Sequence, residues 1–200
     1  MYPVKIFGKI RKNLLQIHVE MLYYTYISNK IGVDYMFEIG EKIVYGENGV
    51  CTVEKIAPLN MQGASAEKLY YYLTPLIGSG TYFTPVDSTA FMRPVISRDE
   101  ADSFILTIPD IAPAICTDSR FNHVEAFYKE LFKQHSNEAL VALIKGLRER
   151  IGDKKNKSSR AEATMKRARE MLHGELSVAL GIAYEEVEQY IAEKIDGTDA

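Results

Sequence analysis

Tryptophan is absent from this 200-residue chain, and only two cysteines and four histidines are present. Cys51 and Cys116 stand far apart with no CxxC-type neighbour, which argues against a disulfide framework or a paired-thiol metal site. Each reads as a small buried hydrophobe in a reducing, cytoplasmic setting. His18, His123, His135 and His173 show no HExxH or other ligand spacing, so no metal set is expected. His173-Gly174-Glu175 is the most suggestive local pair, and it reads as a surface or half-buried histidine on a helix. Gly78-Ser79-Gly80 lacks both the GxGxxG spacing and a following helix, which makes it a turn. Neither a nucleophile elbow nor a P-loop is found. The apolar stretch from Leu14 to Leu22 is broken by His18 and Glu20, is too short to span a bilayer, and is followed by no small-residue cleavage site. These absences leave no catalytic residues, no cofactor and no small-molecule substrate to argue for. The expectation is a non-enzymatic binding protein without a membrane partner.

What is present is an ordinary globular composition, 46% hydrophobic and 26% charged, with a net charge of −3. Residues 1–35 are rich in Tyr, Ile and Lys and carry no clear pattern. They are expected to be a poorly ordered extension, or to lie upstream of a true start at Met36. From Lys42 the pattern is that of strands. Lys42–Tyr45 and Val50–Ile56 flank Asn48-Gly49, a dipeptide that tolerates the positive φ of a tight hairpin turn. Leu69–Leu73 and Thr81–Pro85 supply two aromatic strands, and Pro85 limits the last one as an interior strand. Several short strands in so short a stretch point to a small, strongly curved sheet or barrel.

Helical signals begin at Ser97-Arg98-Asp99-Glu100, a capping box that opens a helix to about Leu106. Pro109 and Pro113 mark a stiff connector. Val124, Phe127, Leu131 and Phe132 fall at helical spacing, as do Leu140, Leu143, Ile144, Leu147 and Ile151. A second box, Ser159-Arg160-Ala161-Glu162, precedes a helix with Met165, Ala168, Leu172, Leu176 and Leu180 on one face. Gly181 interrupts it, and Tyr184–Ile195 reads as a last helix. The fold class is therefore α+β. The expected division is an extension at 1–35, a β module at 36–95, a short helix and connector at 96–118, a helical domain at 119–195, and a tail at 196–200.

Charge is concentrated. Lys145, Arg148, Arg150, Lys154, Lys155, Lys157, Arg160, Lys166, Arg167 and Arg169 face three acids in the same stretch, Glu149, Asp153 and Glu162. The residues from 170 onward are strongly acidic. Such a cluster can neutralise several phosphates of a duplex, with salt-sensitive and largely sequence-independent affinity. A solvated helix face with a lysine-rich loop reads equally well, and the two remain open. The aromatic strands are open in the same way, since Tyr82 and Phe83 can pack in a core or lie on an edge strand that pairs with a partner.

Met36–Val50 (MFEIGEKIVYGENGV), Tyr82–Asp87 (YFTPVD), Met92–Ile96 (MRPVI) and Ala168–Leu176 (AREMLHGEL) together resemble, in order, the CarD/CdnL family of bacterial transcription regulators. The N-terminal module of that family is similar to the RNA-polymerase-interacting domain of the transcription-repair coupling factor. The resemblance implies a Tudor-like β-barrel docked on the β subunit of RNA polymerase through an edge strand, here Thr81, Tyr82, Phe83, Thr84 and Pro85. It also implies a helical domain in weak, largely non-specific contact with promoter DNA, modulating open-complex stability. Arg148, Arg150, Lys154, Lys155, Lys157, Arg160, Lys166, Arg167 and Arg169 would carry that contact. Two features depart from the family pattern. Tyr82 and Phe83 stand where members place an arginine, and the tryptophan that wedges into DNA is missing, with Phe121 the nearest aromatic. A protein-interaction adaptor that makes no DNA contact is the alternative.

Overall fold

The computed structural model describes residues 37–59, 68–118, 120–152 and 159–197. Ile39–Ala200 forms one compact unit, and of the preceding unit, Met1–Glu38, residues 37 and 38 alone are described. The segment expected as an extension, 1–35, lies outside the described residues.

Five strands form one antiparallel sheet: β1 (Lys42–Tyr45), β2 (Val50–Pro58), β3 (Leu69–Pro75), β4 (Tyr82–Pro85) and β5 (Met92–Pro94), in the spatial order β4-β3-β2-β1-β5. The alternation of β-branched and aromatic residues sets the inward face. Ile43 lies opposite Cys51, Val53 opposite Leu73, and Ile56 opposite Tyr71, and all six are almost fully buried. A register shift between Val53 and Lys55 gives β2 an extra residue. The bulge keeps Val53 and Ile56 on the same face although they are three apart, and it bends the strand. The hairpin expected at Asn48-Gly49 is present. Gly46–Asn48 makes a 3-10 turn, Gly49 adopts φ +71°, and Tyr45 N–H donates to Gly49 O at 2.9 Å.

The sheet is open, so of the curved sheet or barrel expected it is the sheet that the described residues form, and they do not confirm the barrel. β4 and β5 are its two edges, and among the described residues no ladder joins them. β5 is three residues ending in proline, too short to show an alternation, yet it pairs with β1 through Ile43–Pro94, Val44–Arg93 and Tyr45–Met92.

The helices are α1 (Arg98–Thr107), α2 (Phe121–Lys133), α3 (Asn137–Gly152), α4 (Ser159–Leu180) and α5 (Val187–Asp196), so the fold is α+β. The capping box at α1 forms as read: Glu100 N–H donates to Ser97 Oγ at 3.3 Å and Ser97 N–H to Glu100 Oε2 at 2.7 Å. Ser159, read as a cap, is itself helical and is the first described residue of α4. α4 ends at Gly181 (φ +67°), where Ile182 N–H reaches back to Ser177 O at 3.1 Å. This is the left-handed terminator that glycine permits. The helical core joins Ile105, Phe132, Leu140, Leu143, Leu147, Ala168, Leu172, Leu176, Leu180 and Val187. Those residues recur every three or four positions, which is why helical spacing found them.

The connector after α1 is pinned to α3. Ala114 N–H donates to Ala142 O at 2.8 Å, and the chain passes so close to Gly146 that a Cβ there would lie 2.0 Å from Ala114 O. Beside it, Lys145 Nζ donates to the carbonyls of Ile108 (2.7 Å), Pro109 (3.0 Å) and Ile111 (2.7 Å). These are carbonyls at the end of α1 and in the following turn, where helix geometry leaves acceptors over, and that of Ile108 also accepts from Ile111 N–H at 3.2 Å.

Candidate functional site

The strand read as partner-facing lies at a sheet edge. β4 pairs with β3 through Leu73–Tyr82, Tyr72–Phe83, Tyr71–Thr84 and Tyr70–Pro85. Just beyond it, Val86 N–H donates to Leu69 O at 3.0 Å. In an antiparallel ladder the bonding direction alternates. Thr84 and Tyr82 therefore turn their backbone groups toward β3, and Phe83 and Pro85 turn theirs outward. Proline has no N–H, so within β4 the outward edge carries the N–H and carbonyl of Phe83 and the carbonyl of Pro85, which already accepts from Ser88 N–H at 3.0 Å.

Side chains follow the other alternation. Thr84 is buried, whereas Tyr82 and Phe83 are 37% and 38% exposed. Phe83 stands edge-on to Tyr72 (centroids 4.9 Å apart, 88°), and Lys55 Nζ lies 4.8 Å from the Tyr72 ring on its way across β2. Tyr72 Oη donates to Pro58 O at 2.9 Å, which fixes the middle of this row. Tyr82 lies on the opposite face, 6.0 Å from the Tyr45 ring, and borders a cleft of about 190 Å³ whose far wall includes Arg167, Glu170 and Met171 of α4. Thr81 precedes the strand and is exposed.

The basic residues are more dispersed than their sequence density suggests. Arg148 and Arg150 end α3, and Arg160, Lys166, Arg167 and Arg169 lie on the first half of α4. Lys154, Lys155 and Lys157 lie outside the described residues, and so does the side chain of Phe121, the first residue of α2. At 100° per residue, Arg160 and Arg167 fall within about 20° of each other on α4, while Lys166 and Arg169 occupy another side. Three of these cations have carboxylate neighbours. Arg160 Nε lies 3.5 Å from Glu125 Oε1, Lys166 Nζ 3.8 Å from Glu170 Oε1, and Arg167 Nη2 2.7 Å from Glu47 Oε2. Arg167 also places its guanidinium 4.7 Å from the Phe132 ring. Arg148 has no ion-pair partner among the described residues, and Lys145, the first of the ten basic residues, is committed to three carbonyls.

The entry to α2 carries its own charge cluster. Asp118 accepts from the Arg120 side chain and backbone N–H, and lies 2.8 Å from His123 Nδ1. Arg120, first through its side chain, holds the Asp118 carboxyl well below the usual carboxylate range. No sequence pattern pointed to this cluster, because an Asp and an Arg two residues apart are ordinary in a loop. Cys51 is buried in the sheet, and burial pushes its thiol up to about 12, far from a reactive thiolate.

No helix among the described residues is long and apolar enough to cross a membrane. No curated protein matches the chain. Residues 37–96, which span all five strands, match the family model described as CarD-like/TRCF RID domain. That family comprises RNA-polymerase-interacting regulatory domains and is not an enzyme family. The open sheet with its exposed β4 edge is thus the part of the chain that is similar to the CarD-like/TRCF RID domain, a match that supports a transcription-related module over residues 37–96.

Proposed function

We propose that this chain is a cytoplasmic bacterial transcription regulator whose β module, the Tudor-like element implied by the family resemblance, docks on the RNA polymerase β subunit by strand addition to β4. The observation that carries the reading is the edge itself: β4 pairs with β3 alone among the described residues, and Tyr82 and Phe83 are exposed beside the outward N–H and carbonyl groups. Strand addition takes its affinity from such main-chain groups and its selectivity from the flanking side chains. Replacing Tyr82 by proline would damage the β3 ladder, because its N–H points inward. Phe83→Pro removes the outward N–H and leaves the ladder. It is expected to abolish capture of core polymerase while circular dichroism stays unchanged; undiminished capture would reject strand addition.

The helices in this proposal contact promoter DNA and so modulate open-complex stability. Arg148, Arg150 and Arg169 supply the phosphate contacts, with Lys154, Lys155 and Lys157 between the helices. The adaptor reading, in which the helices touch no DNA, is favoured by the carboxylates beside Arg160, Lys166 and Arg167. Salt separates the two. Each phosphate neutralised adds about 0.9 to the slope of log affinity against log salt, so reversing Arg148, Arg150 and Arg169 to glutamate should lower that slope by about 2–3. A salt-independent affinity, or a slope unmoved by the reversal, selects the adaptor.

A further inference from the structure

Three successive turns of α4 each grip a different part of the sheet. Arg167 pairs with Glu47 in the β1–β2 turn. Four residues on, Met171 packs on Gly49, where a Cβ would lie 3.5 Å from Met171 Cγ. Four more bring Glu175 to Arg93 of β5. At 1.5 Å per residue these rungs span about 12 Å along the helix. A fourth tie lies off that axis: Phe91 stacks on His135, between α2 and α3, at 4.2 Å and 15°, and its carbonyl accepts from Gly46 N–H at 2.9 Å. A row of rungs resists rocking about a perpendicular axis, and a tie beside the row resists twisting about it.

The Glu175 rung differs from the others in burial and in bonding. Its side chain is 3% exposed, and both carboxylate oxygens are engaged by Arg93, Oε2 at 2.8 Å from Nη2. Oε1 also accepts from Ile96 N–H at 3.2 Å. The pair raises the affinity of the Arg93 guanidinium for its proton. A fork-to-fork pair fixes direction as well as distance. Removing either partner alone would leave the other buried and uncompensated, a state that folding strongly disfavours.

We propose that Arg93 and Glu175 are positioning residues that lock the β module and the helices into one rigid arm. The arm holds the β4 edge and the basic ends of α3 and α4 at a fixed distance and angle. What the arm carries rests on the function proposed above; its rigidity does not. Regulation by this chain then depends on where the arm points, and not on a loose tether that raises local concentration.

The test is a distance distribution by pulsed electron paramagnetic resonance on the full chain. Spin labels go on Thr89→Cys and Glu149→Cys, both exposed, in a Cys116→Ser background where Cys51 stays buried. The parent is expected to give a single narrow distance. Arg93→Met with Glu175→Leu keeps the volume and the apolar packing but loses the directional fork, and should broaden the distribution. A broad parent distribution, or an equally narrow one in the double variant, overturns the proposal. If the double variant fails to melt cooperatively, Glu175→Gln, isosteric and uncharged, supplies the same comparison. In transcription assays the loosened variant should still bind polymerase as the parent does yet lose most of its effect on open-complex lifetime. A parent that binds no polymerase would defeat the docking reading and leave the distance result standing.

Discussion

Replacing Gly146 by alanine should destabilise the chain, although alanine is the better helix former. Intrinsic propensity alone favours the substitution by about 1 kcal/mol in a helix interior. The added methyl, however, would sit 2.0 Å from Ala114 O and 2.7 Å from Ala114 C, both backbone atoms of the connector. Ordinary contact begins near 3.4 Å, so the connector carbonyl must retreat by about 1.4 Å. That retreat stretches the Ala114 N–H to Ala142 O bond from 2.8 Å past its useful range. A lost bond of this kind costs about 1 kcal/mol, and overpacking a close seam costs about 1–3 kcal/mol. Set against the propensity gain, the net loss is about 2 kcal/mol, which for a chain of this size lowers Tm by about 4–8 °C. Thermal unfolding followed by circular dichroism reads this directly. Gly152→Ala is the control, since nothing among the described residues lies within 4 Å of a Cβ there, and it should leave Tm almost unchanged. A Gly146→Ala protein that melts at or above the parent would refute the close-approach argument.

Lys145→Met should cost about 2 kcal/mol in urea unfolding, because charged hydrogen bonds to three carbonyls are lost and the carbonyls are left without that donor. His173 is half-buried beside Tyr184, and desolvation lowers its pKa below the usual histidine value. The unfolded chain therefore binds the proton first as pH falls. Stability is fully present above about 6.5 and declines below it until the folded histidine also protonates. His173→Phe should flatten that decline between pH 7 and 5, and an unchanged slope would show that other groups control it. Iodoacetamide should label half-exposed Cys116 and spare Cys51 in the native protein, with both modified in urea, as read by peptide mass mapping.

Features that complete themselves within a few residues were legible in the sequence. Alternation gave β1 to β4, the Ser97 box forms as written, and helical spacing located the faces around Leu143, Leu147, Leu172 and Leu176. Edge status was legible in part: Pro85 marked Thr81–Pro85 as a poor interior strand and the family resemblance implied an edge there. The full order of the sheet, a matter of long-range pairing, was not. The seam between sheet and helices was invisible for the same reason. Arg93 and Glu175 are 82 residues apart, and no periodicity links them. The basic segment was legible as composition, but its disposition was not. Glu47 and Glu125 come from other elements to meet Arg167 and Arg160, and Lys145 is drawn inward by carbonyls far upstream. Gly146, which no sequence pattern singled out, is the passage for the connector.

Pro85 on the outward side of β4 bears on self-association. Open sheet edges invite copies of the same chain to stack strand upon strand, and long, flat edges do so without limit. Here the strand has four residues, and its outer side offers the N–H and carbonyl of Phe83, the Pro85 carbonyl being taken by Ser88 N–H. An arriving strand can make one reciprocal pair of bonds before it meets the proline, so a second copy gains too little to propagate a filament. A partner must supply the rest of its affinity from side chains that fit Phe83, Tyr72 and Tyr82. The edge is thus kept open to a matched protein while remaining a poor template for its own sequence.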